Sequence, residues 1–172
     1  NPLSDYTLLT NIASNTHSVE IYAEDQQAFT VGYNELFLRI KDESSDTYIS
    51  NAEISWKPMM HMTQMMHSCP NSSISMTDNA SVYKGFAVFQ MPGNSEEYWE
   101  MELEFTVDGE TYTVSEEIEV VAPADGNQRV SVFMGPDETR YVLAMMPLKP
   151  EVAVNDISAL LFKMENMMSF PV

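Results

Sequence analysis

Residues 99–121 read WEMELEFTVDGETYTVSEEIEVV. From Trp99 to Val107 every odd position is apolar and every even position is Glu or Thr. Successive side chains of a β-strand point to opposite faces, so this period of two predicts a strand with one buried face and one wet, acidic face. The most regular part of the chain therefore indicates β-structure.

The turn that ends this strand predicts a hairpin. Asp108-Gly109 is a two-residue turn signal, because Gly adopts the positive φ that tight hairpin turns require. Residues 110–121 then form the returning strand, and the loop length places Phe105 opposite Tyr112. The alternation slips at Glu116-Glu117, which predicts a β-bulge or a change of face there.

Shorter segments elsewhere also have the pattern of strands, and polar, turn-rich segments separate them. These predicted strands cover residues 18–23, 35–41, 52–57 and 82–90. We find no amphipathic helix of useful length between them. We therefore predict an all-β fold, an immunoglobulin-like antiparallel β-sandwich, followed by the start of a second, similar β domain.

A weak internal repeat suggests where the second domain begins. A turn-rich stretch at residues 122–127 predicts a boundary between a domain at 1–122 and a partial one at 123–172. A shift of 121 residues brings Asn34 onto Asn155, and an apolar run follows each asparagine. On this interpretation the second copy stops after about three strands, so we expect either that the biological chain is longer or that these strands complete another sheet.

The composition of the chain argues against several classes of partner and structure. The 172 residues include 26 Asp and Glu against 8 Lys and Arg, which gives a formal net charge of −18. This balance argues against nucleic acid and anionic membranes as partners, because both need clustered basic residues. No apolar run approaches the ~18 residues of a transmembrane helix. The single cysteine, Cys69, excludes an internal disulfide framework.

Methionine is concentrated in one segment, residues 58–70, which reads PMMHMTQMMHSCP. Thioether sulfur is a soft, neutral ligand that suits Cu(I), and imidazole suits both oxidation states of copper. The segment therefore predicts a copper site, and a zinc site is the poorer alternative because few thiolate or imidazole ligands are present. The candidate ligands here are Met59, Met60, His61, Met62, Met65, Met66 and His67.

The spacing leaves the geometry of this segment open. On a helical turn Met62 would share a face with Met66, whereas in an extended strand it would share one with Met60. A mononuclear site would need a further ligand from elsewhere, and Met91 is the obvious candidate. The segment is also too polar for a core strand, although methionine-rich stretches commonly fill cores or form adaptable docking surfaces.

Other residues give weaker signals. Cys69 is interpretable as a thiolate ligand, a lipidation or crosslinking point, or an inert thiol, and His17 is expected at the surface. A blue-copper site needs a second His shortly after the Cys, but all three histidines precede Cys69. Motifs of phosphate-binding loops, serine hydrolases and zinc proteases are absent from the sequence, so we do not expect an enzyme.

The first 122 residues resemble the YtkA-like and FixH-like group of bacterial extracytoplasmic β-sandwich domains. The resemblance lies in the order of a Met/His segment at 58–62, a Tyr-x-Gly strand at 83–86, and an aromatic-x-Met-Pro-Gly turn at 89–93 that leads to Trp99. It implies a periplasmic or cell-surface domain linked with copper handling or oxidase assembly. Five of the candidate ligands match the motif: Met59, Met60, His61, Met62 and Met91.

Three functions follow from these patterns as expectations. The first is a secreted or lipid-anchored protein that captures, buffers or delivers copper, preferring Cu(I), with an acceptor protein or an oxidase-assembly partner. The second is a structural or adhesive immunoglobulin-like module whose methionine-rich loop docks a protein. The third is a spacer domain within a larger surface enzyme.

Overall fold

The computed structural model describes residues 2–24, 26–146, 152–154 and 156–172. Over these residues the chain forms strands and turns without any helix. The strands are β1 (Thr7–Ala13), β2 (His17–Ala23), β3 (Phe29–Thr30), β4 (Gly32–Asp42), β5 (Thr47–Tyr48), β6 (Glu53–His61), β7 (Met66–Ser68), β8 (Ser75–Met76), β9 (Tyr83–Phe89), β10 (Tyr98–Val107), β11 (Glu110–Ile118), β12 (Val120–Val121), β13 (Val130–Met134), β14 (Arg140–Met146) and β15 (Ser158–Lys163).

Two antiparallel sheets enclose the main core, which confirms the predicted all-β sandwich. One sheet has the order β1-β2-β4-β9-β8, with β5 paired to β4, and the other has the order β11-β10-β6-β7. Leu36 and Leu38 from the first sheet and Trp56, Leu103 and Phe105 from the second belong to one buried cluster. Burial of apolar area between the sheets is the main stabilising contribution of such a fold.

The β10–β11 hairpin has the predicted register. Phe105 lies opposite Tyr112, and the pairing runs without a shift from Trp99 to Val107. Asp108 and Gly109 have φ values of 52° and 82°, as a two-residue hairpin turn requires. The predicted bulge or change of face at residues 116–117 is wrong. The ladder is continuous there, Val114 and Ile118 are buried on the same face, and β11 ends at Ile118.

The first strand was not predicted from the sequence. β1 reads TLLTNIA, in which no alternation of apolar and polar residues survives, and a register shift falls between Leu8 and Thr10. A second difference is the length of β6, which continues past the predicted end at Lys57 into the Met/His segment. The sheet extends there because β10 pairs with β6 up to Tyr98 and His61.

The position of His17 also differs from the prediction. Its side chain is buried rather than exposed, and its ring lies 5.6 Å from that of Phe105 and 4.3 Å from that of Tyr112. Nδ1 lies 3.0 Å from the Thr16 hydroxyl oxygen, so the buried ring retains a polar partner. A histidine at the start of a strand is buried here because the opposite sheet supplies two aromatic rings, which a local pattern does not reveal.

The last three strands form a separate sheet that packs on the sandwich. Its order is β13-β14-β15, and Val130, Val142 and Phe162 form a buried cluster with Val88 of β9. Both apolar runs of the proposed repeat lie in strands, β4 and β15. Asn155, the counterpart of Asn34, lies outside the described residues. The division into two domains stays a prediction.

Asn34, which opens the first of those runs, is fully buried and organises the start of β4. Its Nδ2 donates to the carbonyls of Thr30 and Gly32 at 2.7 and 2.9 Å, and its Oδ1 accepts from the Thr30 amide at 3.0 Å. One side chain therefore satisfies three backbone groups that would otherwise be buried without partners.

We expect Asn34→Ala to lower the free energy of unfolding by about 1–3 kcal/mol, the cost of leaving buried polar groups unsatisfied. Urea unfolding followed by tryptophan fluorescence measures the change. Asn11→Ala is the matched control, because Asn11 is exposed on β1. Equal midpoints for the two variants would show that the Asn34 bonds contribute nothing.

Candidate metal centre

The Met/His segment folds as a β-hairpin. β6 ends at His61, β7 begins at Met66, and the Met62 amide donates to the Met65 carbonyl at 2.9 Å across the turn. The register places His61 opposite Met66 and Met60 opposite His67. The helical pairing considered from the sequence does not occur, and the strands bring His61 and Met66 together instead.

The pairing of His61 with Met66 is of the type that brings two side chains close together. Paired residues of an antiparallel ladder alternate between hydrogen-bonded and non-hydrogen-bonded positions, and side chains are closer in the latter. Met62 and Met65 form a hydrogen-bonded pair, so His61 and Met66, next along the ladder, form a non-hydrogen-bonded one. An imidazole and a thioether therefore stand side by side on one face of the sheet.

His61 lies on the face of β6 that points away from the main core. Its ring stacks on Tyr98 with centroids 4.7 Å apart and planes 7° apart, and Nε2 lies 3.8 Å from a carboxylate oxygen of Glu100. Nε2 is buried, and among the described residues it has no hydrogen-bond partner. A buried ring nitrogen without a partner is costly for the fold unless a ligand occupies it.

His67 faces the opposite side of the sheet, beside the core. It pairs with Met60, and its ring meets that of Trp99 edge-on at 5.7 Å. Its Nδ1 lies 2.7 Å from the Ser68 carbonyl oxygen, which assigns the proton to Nδ1 and leaves Nε2 as the ring nitrogen able to bind a metal. The two histidines therefore do not converge on one point through the same face.

The methionines divide into buried and exposed groups. Met60 is fully buried in the main core, and Met59 is also buried. The interpretation that this segment is too polar for a core strand is therefore wrong for Met60. Met62 and Met91 are partly buried against the same core, whereas Met65 and Met66 are exposed. Met66 is thus the candidate ligand that combines solvent access with a histidine directly opposite.

Met91 has a structural role that the sequence did not show. Its carbonyl oxygen accepts a hydrogen bond from the indole Nε1 of Trp99 at 2.9 Å. Trp99 is fully buried, so this bond ties the turn after β9 to the start of β10. The backbone of Met91 is therefore committed to the fold, and its side chain packs against the core.

Ligands of the zinc type do not assemble here. Within the described ranges, His, Cys, Asp and Glu side chains form no group of three or more that could hold a metal ion. Cys69 is fully buried, and this burial raises the pKa of its thiol, which disfavours a thiolate. A metal site in this hairpin would therefore depend on thioether sulfur, the donor class that suits copper.

Two groups beside the hairpin were missed from the sequence. Glu100 was interpreted only as part of a solvated acidic face, yet the β6–β10 register carries its carboxylate towards His61. The sequence predicted no role for Met167, but its carbonyl oxygen accepts a hydrogen bond from the Ser68 amide at 2.8 Å. Alternation along β10 could have placed Glu100 on the correct face, whereas nothing local indicates the contact of Met167.

A cleft of about 800 Å³ lies elsewhere on the molecule. Glu24, Tyr33, Glu35, Ala122 and Arg129 contribute to its walls, and none of the candidate copper ligands does. The Met/His hairpin is therefore a surface feature of the sheet and does not line this cleft.

No protein-family model, no curated protein and no solved structure matches the chain. In the part of the chain that the structure describes, no helix has the length and apolar character needed to cross a membrane.

The burial of Cys69 predicts a protected thiol. We expect it to react with a thiol reagent such as DTNB at pH 8 at least a hundredfold more slowly in the native protein than in 8 M urea, because reaction needs both exposure and the thiolate. Absorbance at 412 nm measures the rate. Complete labelling of the native protein within minutes would contradict the buried position.

Proposed function

We propose that this protein is an extracytoplasmic copper-binding protein that prefers Cu(I) and acts in capture, buffering or delivery of the metal. The observation that carries the proposal is the buried Nε2 of His61, which has no hydrogen-bond partner among the described residues and stands beside Met66 on the adjacent strand. Copper binding would give this nitrogen the partner that it lacks.

The chemistry of the neighbouring groups favours copper over other metals. Met66 offers a soft, uncharged sulfur, and the imidazole of His61 accepts copper in either oxidation state. Glu100 Oε2, 3.8 Å from Nε2, adds a hard carboxylate that would support Cu(II) rather than Cu(I). Of the originally proposed ligands, His61 and Met66 therefore form the centre of the site, with Met65 nearby at the turn.

The proposed location and partners rest on the family resemblance. A YtkA-like or FixH-like domain would be periplasmic or at the cell surface, as a secreted protein or a lipoprotein, and would pass copper to an acceptor protein or an oxidase-assembly partner. Thioethers suit such an oxidising compartment because they are not consumed by disulfide formation. A binding and transfer role needs no catalytic group, so we propose a protein without enzymatic activity.

A second function is favoured by the exposure of the hairpin. Met65 and Met66 expose large apolar side chains to solvent at the tip of the β6–β7 hairpin. Exposed methionines form adaptable contact surfaces, so the hairpin could dock a protein partner in a structural or adhesive module. That function would survive replacement of Met by Leu, because the volume and apolar character are kept.

Copper titration distinguishes these functions. We expect tight 1:1 binding in an anaerobic Cu(I) competition with a chromophoric chelator. The double variant His61→Phe, Met66→Leu should bind at least about tenfold more weakly, equivalent to 1.4 kcal/mol or more. Phe keeps a ring to stack on Tyr98 but supplies no nitrogen.

Met76→Leu is the matched control, because Met76 is 50% exposed and Met66 is 49% exposed. It should retain the affinity of the unmodified protein. If the unmodified protein binds Cu(I) no better than the double variant, the copper proposal fails and the docking function takes its place.

A further inference from the structure

A second pair of methionines lies against the edge of the Met/His hairpin. Residues 165–169 form a tight turn in which Asn166 pairs with Ser169 and the Asn166 Oδ1 accepts from the Met168 amide at 2.8 Å. The turn presents Met167 and Met168, and the Met167 carbonyl oxygen accepts from the Ser68 amide at 2.8 Å. The C-terminal turn is thus hydrogen-bonded to β7, about 100 residues earlier in the chain.

The register of β7 shows which part of the hairpin this turn approaches. β7 is the edge strand of its sheet, and Ser68 forms a non-hydrogen-bonded pair with Met59, so its amide points outwards from β6. Met66 lies two residues before Ser68 on the same face, about 6.6 Å along the strand. The main chain of Met167 is therefore next to the strand that carries Met66.

The side chains of the turn are available for binding. Met167 is 39% exposed and Met168 is 46% exposed, comparable to Met66. A methionine side chain is unbranched and has three rotatable bonds, so its sulfur samples a wide region around the backbone. The exposed thioethers of Met66, Met167 and Met168 therefore come from two segments, β7 and the C-terminal turn, whose main chains are hydrogen-bonded to each other, and His61 lies opposite Met66 in β6.

We propose that the C-terminal turn completes the copper site, with Met167 or Met168 supplying a thioether to a Cu(I) ion held by His61 and Met66. This inference rests on the proposed function. A mononuclear site needs a further soft ligand. The sequence predicted Met91 for this position, but the side chain of Met91 packs against the core. Copper would then bridge β7 and the C-terminal turn.

This arrangement couples metal binding to the docking of the turn. The contact between β7 and the turn in the described residues includes the Ser68–Met167 hydrogen bond. A ligand that binds only the docked arrangement stabilises it in proportion to its concentration and affinity. Cu(I) binding therefore stabilises the docked turn, and release of the turn would lower the affinity for Cu(I).

The test follows the methionine methyl groups directly. Protein labelled with ¹³C at the methionine methyls is titrated anaerobically with Cu(I), and signals are assigned through single Met→Leu variants. We expect the signals of Met66 and of Met167 or Met168 to shift together at a 1:1 ratio. The signals of Met134 and Met145, exposed on the C-terminal sheet, should not move.

Chelator competition gives the affinity in parallel. Met167→Leu, Met168→Leu should weaken Cu(I) binding at least tenfold, and the control Met134→Leu, Met145→Leu should leave the affinity unchanged. Met145, at 40% exposure, matches Met167. The remaining methyl signals of the first variant show whether it is folded. If it is poorly folded, the methyl titration of the unmodified protein alone tests whether Met167 or Met168 binds Cu(I).

The outcomes separate the two proposals. Cu(I) binding with unmoved Met167 and Met168 signals would overturn this inference and leave the site of His61 and Met66 standing. Failure of the unmodified protein to bind Cu(I) would overturn both.

Discussion

The pairing of β6 with β10 is the constraint on which the rest of the structure depends. It joins the Met/His hairpin to the regular alternation of β10, so that Met60 lies opposite Trp99 and both enter the core. A slip of one residue would turn every side chain of β6 to the other face. The same register therefore buries Met60 and leaves His61 on the outer face, beside Tyr98 and Glu100.

The environment of His61 follows from that register. Cross-strand neighbours on one face lie close together in an antiparallel sheet. Tyr98 therefore stacks on the imidazole, Glu100 approaches from the diagonal position, and Met66 stands on the other side in β7. An aromatic ring on one side and a strand on the other hold the imidazole in place, and such preorganisation reduces the entropy lost on binding a ligand.

Sequence patterns predicted the parts of this fold that depend on local rules. The Asp108-Gly109 turn determines its own loop length, so the pairing of Phe105 with Tyr112 could be counted directly. The Met/His hairpin turns at Thr63-Gln64, without Gly, Asn or Pro, so no local signal marked its centre. The burial of His17 and the contact of Met167 with Ser68 arise between segments far apart in the chain, which local periodicity does not encode.

The division between buried and exposed methionines has a chemical consequence of its own. Peroxide converts an accessible thioether to a sulfoxide, a polar group that binds through oxygen and loses its softness. Met60, enclosed by the core, is shielded from this reaction, whereas Met65 and Met66 meet solvent. Peroxide would therefore oxidise the hairpin tip, like the other exposed methionines, before it reached Met60. The surface of the tip would change while the sandwich beneath stayed intact, until a sulfoxide reductase restored the side chains.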